Sequence, residues 1–436
     1  MSKARKENRK TESELPSENY RTSIVDPSMM EWKKVDWRKL EKRVFKLQKR
    51  IYKASERGDV QAVRRLQKTA MRSWSCKMLA VRRVTQDNQG KKTAGVDGVK
   101  SLTPKQRFAL VARLNLGSKS RPTRRVFIPK ANGEKRPLGI PTMYDRALQA
   151  LIKMALEPEW EARFEPNSWG FRPGRSAHDA IEAIFNAIRY KAKYVLDADI
   201  AKCFDCINHK ALLEKVNTFP TINRQLRAWL KAGVMDEGQF QETSKGTPQG
   251  GVISPLLANI ALHGIEERIK RYAATLPGTI EKNKRSLSLI RYADDFLIFH
   301  ESLTVVQRCQ QIIAEWLRGI GLELKPSKTR LTHTLNKCGD EEIGFDFLGF
   351  NIRQFPVGKY NSGRNGQGKV LGFKTLITPS SKKVKEHYQI IVDTINAHKS
   401  APQSALIRHL TPIIIGWANY YSTVVSTETY SHLDTI

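Results

Sequence analysis

The sequence predicts an α+β fold, and three observations lead there. From about residue 102 to 350, helical stretches alternate with short apolar strands. KYVLDADI (193–200) reads as a strand with an acidic end, and SLSLIRYADDFLIFH (286–300) as two strands around an acidic turn. A cationic helical block precedes them. Strands and helices mixed in this way suggest an α+β core, and 436 residues allow two or three domains.

Residues 1–28 are expected to be a disordered tail. They carry basic residues with no apolar segment behind them, which excludes a secretory signal. A basic helical extension follows at 29–88. Within 31–85, 18 Lys and Arg face 5 acids, and Leu40, Val44, Leu47 and Ile51 recur at helical steps. One stripe therefore packs, while the cationic remainder is either a solvated face or a phosphate-binding one. Gly90, Gly95 and Gly98 punctuate a loop over 86–101. RRVFIPK and KRPLGIP flank Ala131-Asn132-Gly133, a hairpin whose rims carry Arg124, Arg125, Lys130, Lys135 and Arg136. Beyond a Gly-rich loop (358–372), residues 376–436 show helical periodicity and an aromatic cluster, Trp417, Tyr420 and Tyr421, expected to pack between helices rather than to stack on bases.

The charge balance narrows the partner. Lys and Arg number 75 against 43 Asp and Glu, a formal net charge of +32. Such self-repulsion serves no purpose for a small neutral substrate, whereas a protein that neutralises phosphates gains counterion-release affinity from it. No apolar run is long enough to span a bilayer, so no membrane partner is expected. Five scattered cysteines fit reduced thiols and a cytoplasmic location. Cys203 and Cys206 form a CxxC, but no second pair stands at zinc-finger spacing.

The chemistry concentrates in three blocks: Asp197, Asp199 and Asp205 in DADIAKCFD, the loop GTPQGGVISP (246–255), and Asp294 and Asp295 in RYADDF. Carboxylates at strand ends suit hard Mg²⁺, which takes few protein ligands and completes its shell with phosphates. Phe296, Leu297 and Phe299 would anchor a hairpin that carries Asp294 at its tip. An Asp at a strand end with an aromatic five residues on (Asp199, Phe204), then a Gly/Pro/Gln loop, then Tyr-x-Asp-Asp, is the ordered pattern of a reverse transcriptase palm.

On these residues the chain resembles the group II intron reverse transcriptase/maturases, nearly throughout from residue 30. GVDG (95–98), IPKANGEKRPLGIPT (128–142), SWGFRPGRSAHDA (168–180), GLELKPSKT (321–329), FDFLGF (345–350) and GWANYY (416–421) carry the resemblance further. It implies a right-hand polymerase, with fingers and palm over 89–355 and the start of a maturase or thumb domain over 373–436. It also implies Asp199 and Asp294 as Mg²⁺ ligands, Asp295 beside them, and the Ile200 carbonyl completing a metal shell. Phe204 resembles a steric gate against ribose, Lys130 and Arg136 a triphosphate clamp, and Gln249 a nucleotide-pocket residue. Arg124, Arg125, Lys135 and Arg172 are implied as template or RNA contacts.

The activity so implied is RNA-directed DNA synthesis from deoxynucleoside triphosphates on an RNA template with a DNA or RNA primer, joined to binding of a group II intron RNA for splicing and mobility. The sequence ends at Ile436, soon after GWANYY, so the expected maturase domain is short, with no DNA-binding region and no HNH endonuclease. A non-enzymatic splicing cofactor and a reverse transcriptase of retron, diversity-generating or CRISPR-associated lineage stand as alternatives. Clustered, mutually repelling carboxylates weigh against a pure scaffold. His209, close behind the acidic strand, is expected at the surface or as a cap.

Overall fold

The structure, a computed structural model, describes residues 31–129 and 133–435; the tail expected over 1–28, Lys130 and most of the 131–133 turn lie outside them. The strands within this range are β1 (Thr123–Pro129), β2 (Lys135–Ile140), β3 (Tyr194–Asp199), β4 (Val234–Asp236), β5 (Gln239–Gln241), β6 (Ser288–Tyr292), β7 (Asp295–His300), β8 (Arg330–His333), β9 (Phe345–Phe347), β10 (Phe350–Pro356) and β11 (Phe373–Pro379). They form sheets ordered β2-β1-β4-β5, β6-β7-β3-β8 and β11-β10-β9 among many helices, the expected α+β composition.

The basic block folds as three helices, Trp37–Glu56, Val60–Arg72 and Trp74–Arg82. Asp36 and Asp59 cap the first two by accepting the Lys39 and Ala62 amides. Leu40, Val44 and Ile51 are buried, while Arg38, Lys39, Lys42, Arg43, Lys46, Lys49, Arg50 and Lys53 face solvent. All three helices pack on Met143–Glu161, a helix buried on nearly every side and capped by Thr142.

The sheet β6-β7-β3-β8 is antiparallel throughout and divides the interior. Its period-two alternation sends Leu196, Ala198, Phe296 and Ile298 into the larger core. Val195, Leu297 and Phe299 enter a second core against β9, β10 and the helix Ala177–Ile188. Buried on both faces, this sheet is a rigid platform for whatever its ends carry.

Two expectations change. Residues 376–379 belong to β11 rather than to a helix, because Phe373 and Ile377 alternate inward and pair with β10; Ser380 then caps the helix Ser381–Ala397. His209 is buried rather than on the surface, with Nε2 2.7 Å from the Gly246 carbonyl, and so tethers the 246–251 loop. The aromatic cluster packs as expected: Trp417 stacks on His387 at 4.5 Å, and the Tyr420 and Tyr421 hydroxyls donate to the Leu348 and Gly349 carbonyls.

Candidate active site

β6 and β7 pair so that Tyr292 faces Asp295, which leaves a two-residue turn, Ala293-Asp294. Ala293 sits at φ +59°, a left-handed conformation that a residue with a Cβ adopts only when its surroundings enforce it. Here they do. The fully buried Arg291 guanidinium donates to the Ala293 carbonyl at 2.9 Å and to Asn259 Oδ1 at 3.1 Å. Asn259 in turn donates to the Gly170 carbonyl at 2.7 Å. Gly170 lies so close beneath the turn that a Cβ there would stand 2.3 Å from the Ala293 amide nitrogen. Burial pulls the Arg291 pKa down to about 10, which still leaves it charged at neutral pH.

On the neighbouring strand, Asp199 pairs in register with Asp295. Past it the Ala201 amide donates to Glu323 and the Lys325 amide to the Asp199 carbonyl, so the bridge between Ile200 and Leu324 leaves the Ile200 carbonyl outside its ladder. Lys202 at φ +43° then turns the chain into the short helix Cys203–Cys206. Asp199, Asp294 and Asp295 thus gather at one end of the sheet. Burial, then Asp294 and Asp199, raise the Asp295 carboxyl to about 7; burial, with Asp199 contributing, also raises Asp294. Lys328 Nζ lies 2.7 Å from Asp199 Oδ2 as the counter-charge.

Mutually repelling carboxylates, only partly offset by Lys328 and by Arg136 beside Asp294, suit a divalent cation. Among the described residues no set of three or more His, Cys, Asp or Glu side chains is placed to hold one alone. Asp199 and Asp294 would leave the rest of its shell to a backbone carbonyl, water and phosphate oxygens, the sparse coordination Mg²⁺ accepts.

A second group of residues closes over this end. Arg136 on β2 donates through Nε to Gln249 Oε1 at 2.9 Å, and Gln249 Nε2 donates to Asp205 Oδ2 at 3.0 Å. The loop that carries Gln249 docks by its backbone: the Gly246 amide donates to Ile207, and a Cβ at Gly246 would stand 2.5 Å from the Asp205 carbonyl oxygen. Arg125, Gly139, Asp205, Thr247 and Gln249 line a cavity of about 210 Å³ between the hairpin and the loop. Phe204 is buried nearby, 6.2 Å from the exposed Phe171 ring and nearly perpendicular to it.

Other anticipated positions are dispersed. Asp197 pairs with Arg330 at 3.0 Å. Arg124 donates to the Ala94 carbonyl, and Arg125 lies 4.0 Å from Asp236; Lys135 is exposed on the hairpin. Arg172 corrects an expectation. Its side chain is 3% exposed, forks onto Glu161 and donates to the Glu165 and Ser168 carbonyls, which leaves it a structural bond rather than an RNA contact.

Residues 128–352 match the family described as Reverse transcriptase (RNA-dependent DNA polymerase), residues 32–114 the N-terminal domain of reverse transcriptase, and residues 384–436 the group II intron maturase-specific domain. The chain belongs to the group II intron reverse transcriptases. It is similar to protein YkfC of Escherichia coli at 33% identity, over 62% of this chain and 78% of the relative. To the group II intron-encoded protein LtrA of Lactococcus lactis it is 31% identical, over 61% of this chain and 52% of LtrA, about half that relative's length. Maturase-like protein 1 of Euglena gracilis is 28% identical over 73% of this chain and 64% of its own.

Reverse transcriptases use divalent metal ions, in keeping with the carboxylate cluster. Among the described residues no helix is long and apolar enough to cross a membrane. Sequence reasoning missed the supports of this reverse transcriptase site. Gly170 and Lys328 lie inside recognised motifs, but nothing in the chain order ties Gly170 to Ala293 or Lys328 to Asp199. Arg291 reads locally as an ordinary charged residue in a strand; only the fold buries it.

Proposed function

We propose that this protein extends a primer 3′-hydroxyl with deoxynucleotides on an RNA template, with Mg²⁺ held by Asp199, Asp294 and the Ile200 carbonyl, and Asp295 tuning their charge. The observation that carries this reading is the in-register pairing of the Asp199 and Asp295 strands with Asp294 on the adjoining turn. On this reading β6-β7-β3-β8 is the palm, the β1–β2 hairpin belongs to the fingers, and the helices after β11 begin the thumb. Magnesium bound there supplies Lewis acidity to the attacking hydroxyl and the nucleotide phosphates. The chain's own groups do the positioning. Arg136, already oriented by Gln249, presents its remaining donors to a triphosphate, and Lys130, the next residue in the sequence after β1, would add a point charge. On this reading the buried Phe204 ring, beside Phe171, would exclude a ribose 2′-hydroxyl. The exposed cations of Trp37–Glu56 offer a group II intron RNA a phosphate-binding face suited to splicing and mobility.

Primer extension on an RNA template with deoxynucleotides and Mg²⁺ tests the reading; RNA binding without extension would leave only the splicing-cofactor role. Phe204→Ala should raise ribonucleotide incorporation relative to deoxynucleotide, with both competed in one reaction. An unchanged ratio in a variant that still extends primers removes the gate assignment. Lys328→Ala removes the ion pair to Asp199 and part of the positive charge beside Asp294 and Asp295, so the metal-free protein should melt lower and recover more on Mg²⁺ addition than wild type. Equal responses in a thermal titration would show that Lys328 and the cation do not share Asp199.

A further inference from the structure

The chain between Asp346 and Glu386 holds eight Lys and Arg and no acid over 39 residues. Its core is the antiparallel ribbon β10–β11, which is two-sided. Phe350, Ile352 and Ile377 point into the second core, while Arg353, Phe355 and Lys374 stand on the outer face, where Phe355 pairs across the ribbon with Lys374. The Arg353 guanidinium lies over the Phe355 ring at 4.8 Å. From the turn that joins β9 to β10, the ribbon runs about 20 Å before its strands give way to the loop 357–372.

That loop is built rather than slack. Asn365 Oδ1 accepts the Gln367 and Lys369 amides, Ser362 Oγ accepts the Gly372 amide, and Arg364 donates to the Gly368 carbonyl. It carries Lys359, Arg364 and Lys369, and among the described residues neither these nor Arg353 and Lys374 form a salt bridge. At its start stands Tyr360, 96% exposed. An aromatic ring left wholly in water beside unpaired cations gains nothing from folding; it gains from a base stacked on it.

We propose that the outer face of this ribbon and its loop form an RNA-docking surface outside the active site, with Lys359, Arg364 and Lys369 on phosphates and Tyr360 stacked on an unpaired base. The partner is a single-stranded or looped RNA, since a paired base offers no free face. The proposal rests on the reading of this protein as an RNA-templated polymerase, and its test separates the two.

The probe is a fluorescein-labelled, non-self-complementary RNA, titrated by anisotropy against the full chain across a salt series. Neutralising Lys359, Arg364 and Lys369 together to Gln should make the slope of log affinity against log salt shallower by about 2, at roughly 0.7 per single-strand phosphate contact. Tyr360→Ala should weaken binding by roughly 5- to 100-fold with the slope unchanged. Tyr360→Ala removes no buried packing and the triple variant forfeits only the exposed Arg364 bond to the Gly368 carbonyl, so both variants should melt close to wild type. Wild-type slope in the triple variant together with wild-type affinity in Tyr360→Ala overturns the surface, and is the result expected if the face instead docks an acidic protein. A wild-type chain that fails to extend primers, with the two variants still weakened, overturns the polymerase reading and leaves the surface standing.

Discussion

Asp294→Ala is expected to lower RNA-templated primer extension by at least roughly a thousandfold while leaving the protein folded. The carboxylate occupies the turn between β6 and β7, beside Asp199 and Asp295, and burial with Asp199 already raises its pKa. On the proposed reading truncation takes a metal ligand from a sparse set, and Asp295, whose position opposite Asp199 is fixed by strand register, cannot replace it. It also relieves repulsion, so the metal-free melting temperature should stay level or rise. Loss of activity with retained stability separates a chemical role from a structural one. Extension within tenfold of wild type would move the metal-binding role off Asp294.

Gly170→Ala should cost about a hundredfold in turnover without touching any charged group. The new methyl would meet the Ala293 amide nitrogen at 2.3 Å, and ordinary contact requires about an ångström more. Backbone faces backbone there. Asn259 holds the Gly170 carbonyl and Arg291 holds that of Ala293, so neither partner yields alone and the turn carrying Asp294 must shift. Overpacking of this kind costs about 1–3 kcal/mol of stability, which a modest fall in melting temperature should report. A variant with wild-type turnover and melting would show that the site tolerates displacement of the turn.

Much of this molecule was legible in its sequence because its signals are local. The Leu40, Val44 and Ile51 stripe, the strand ending at Asp199 and the Tyr-Ala-Asp-Asp turn between apolar runs each declare themselves within a few residues, and the structure describes them in place. The strand at 376–379 was misread because a short apolar run fits helix and strand alike, and its pairing with β10 decides between them. Arg172 was misread for a different reason. Basic residues in a basic protein look alike until burial removes one of them from solvent.

The amino-acid sequence by itself determined the α+β composition, the cationic character that calls for a polyanion, and the acidic residues at strand ends, all properties of composition and short-range spacing. Tertiary structure alone decided that Asp295 faces Asp199 across a strand pair, that Lys328 supplies the counter-charge, and that Gly170, Asn259 and Arg291 brace the turn from beneath. Those contacts join residues far apart in the chain. Their formation is set by the packing of a doubly buried sheet, where register and burial are collective and no single segment carries them.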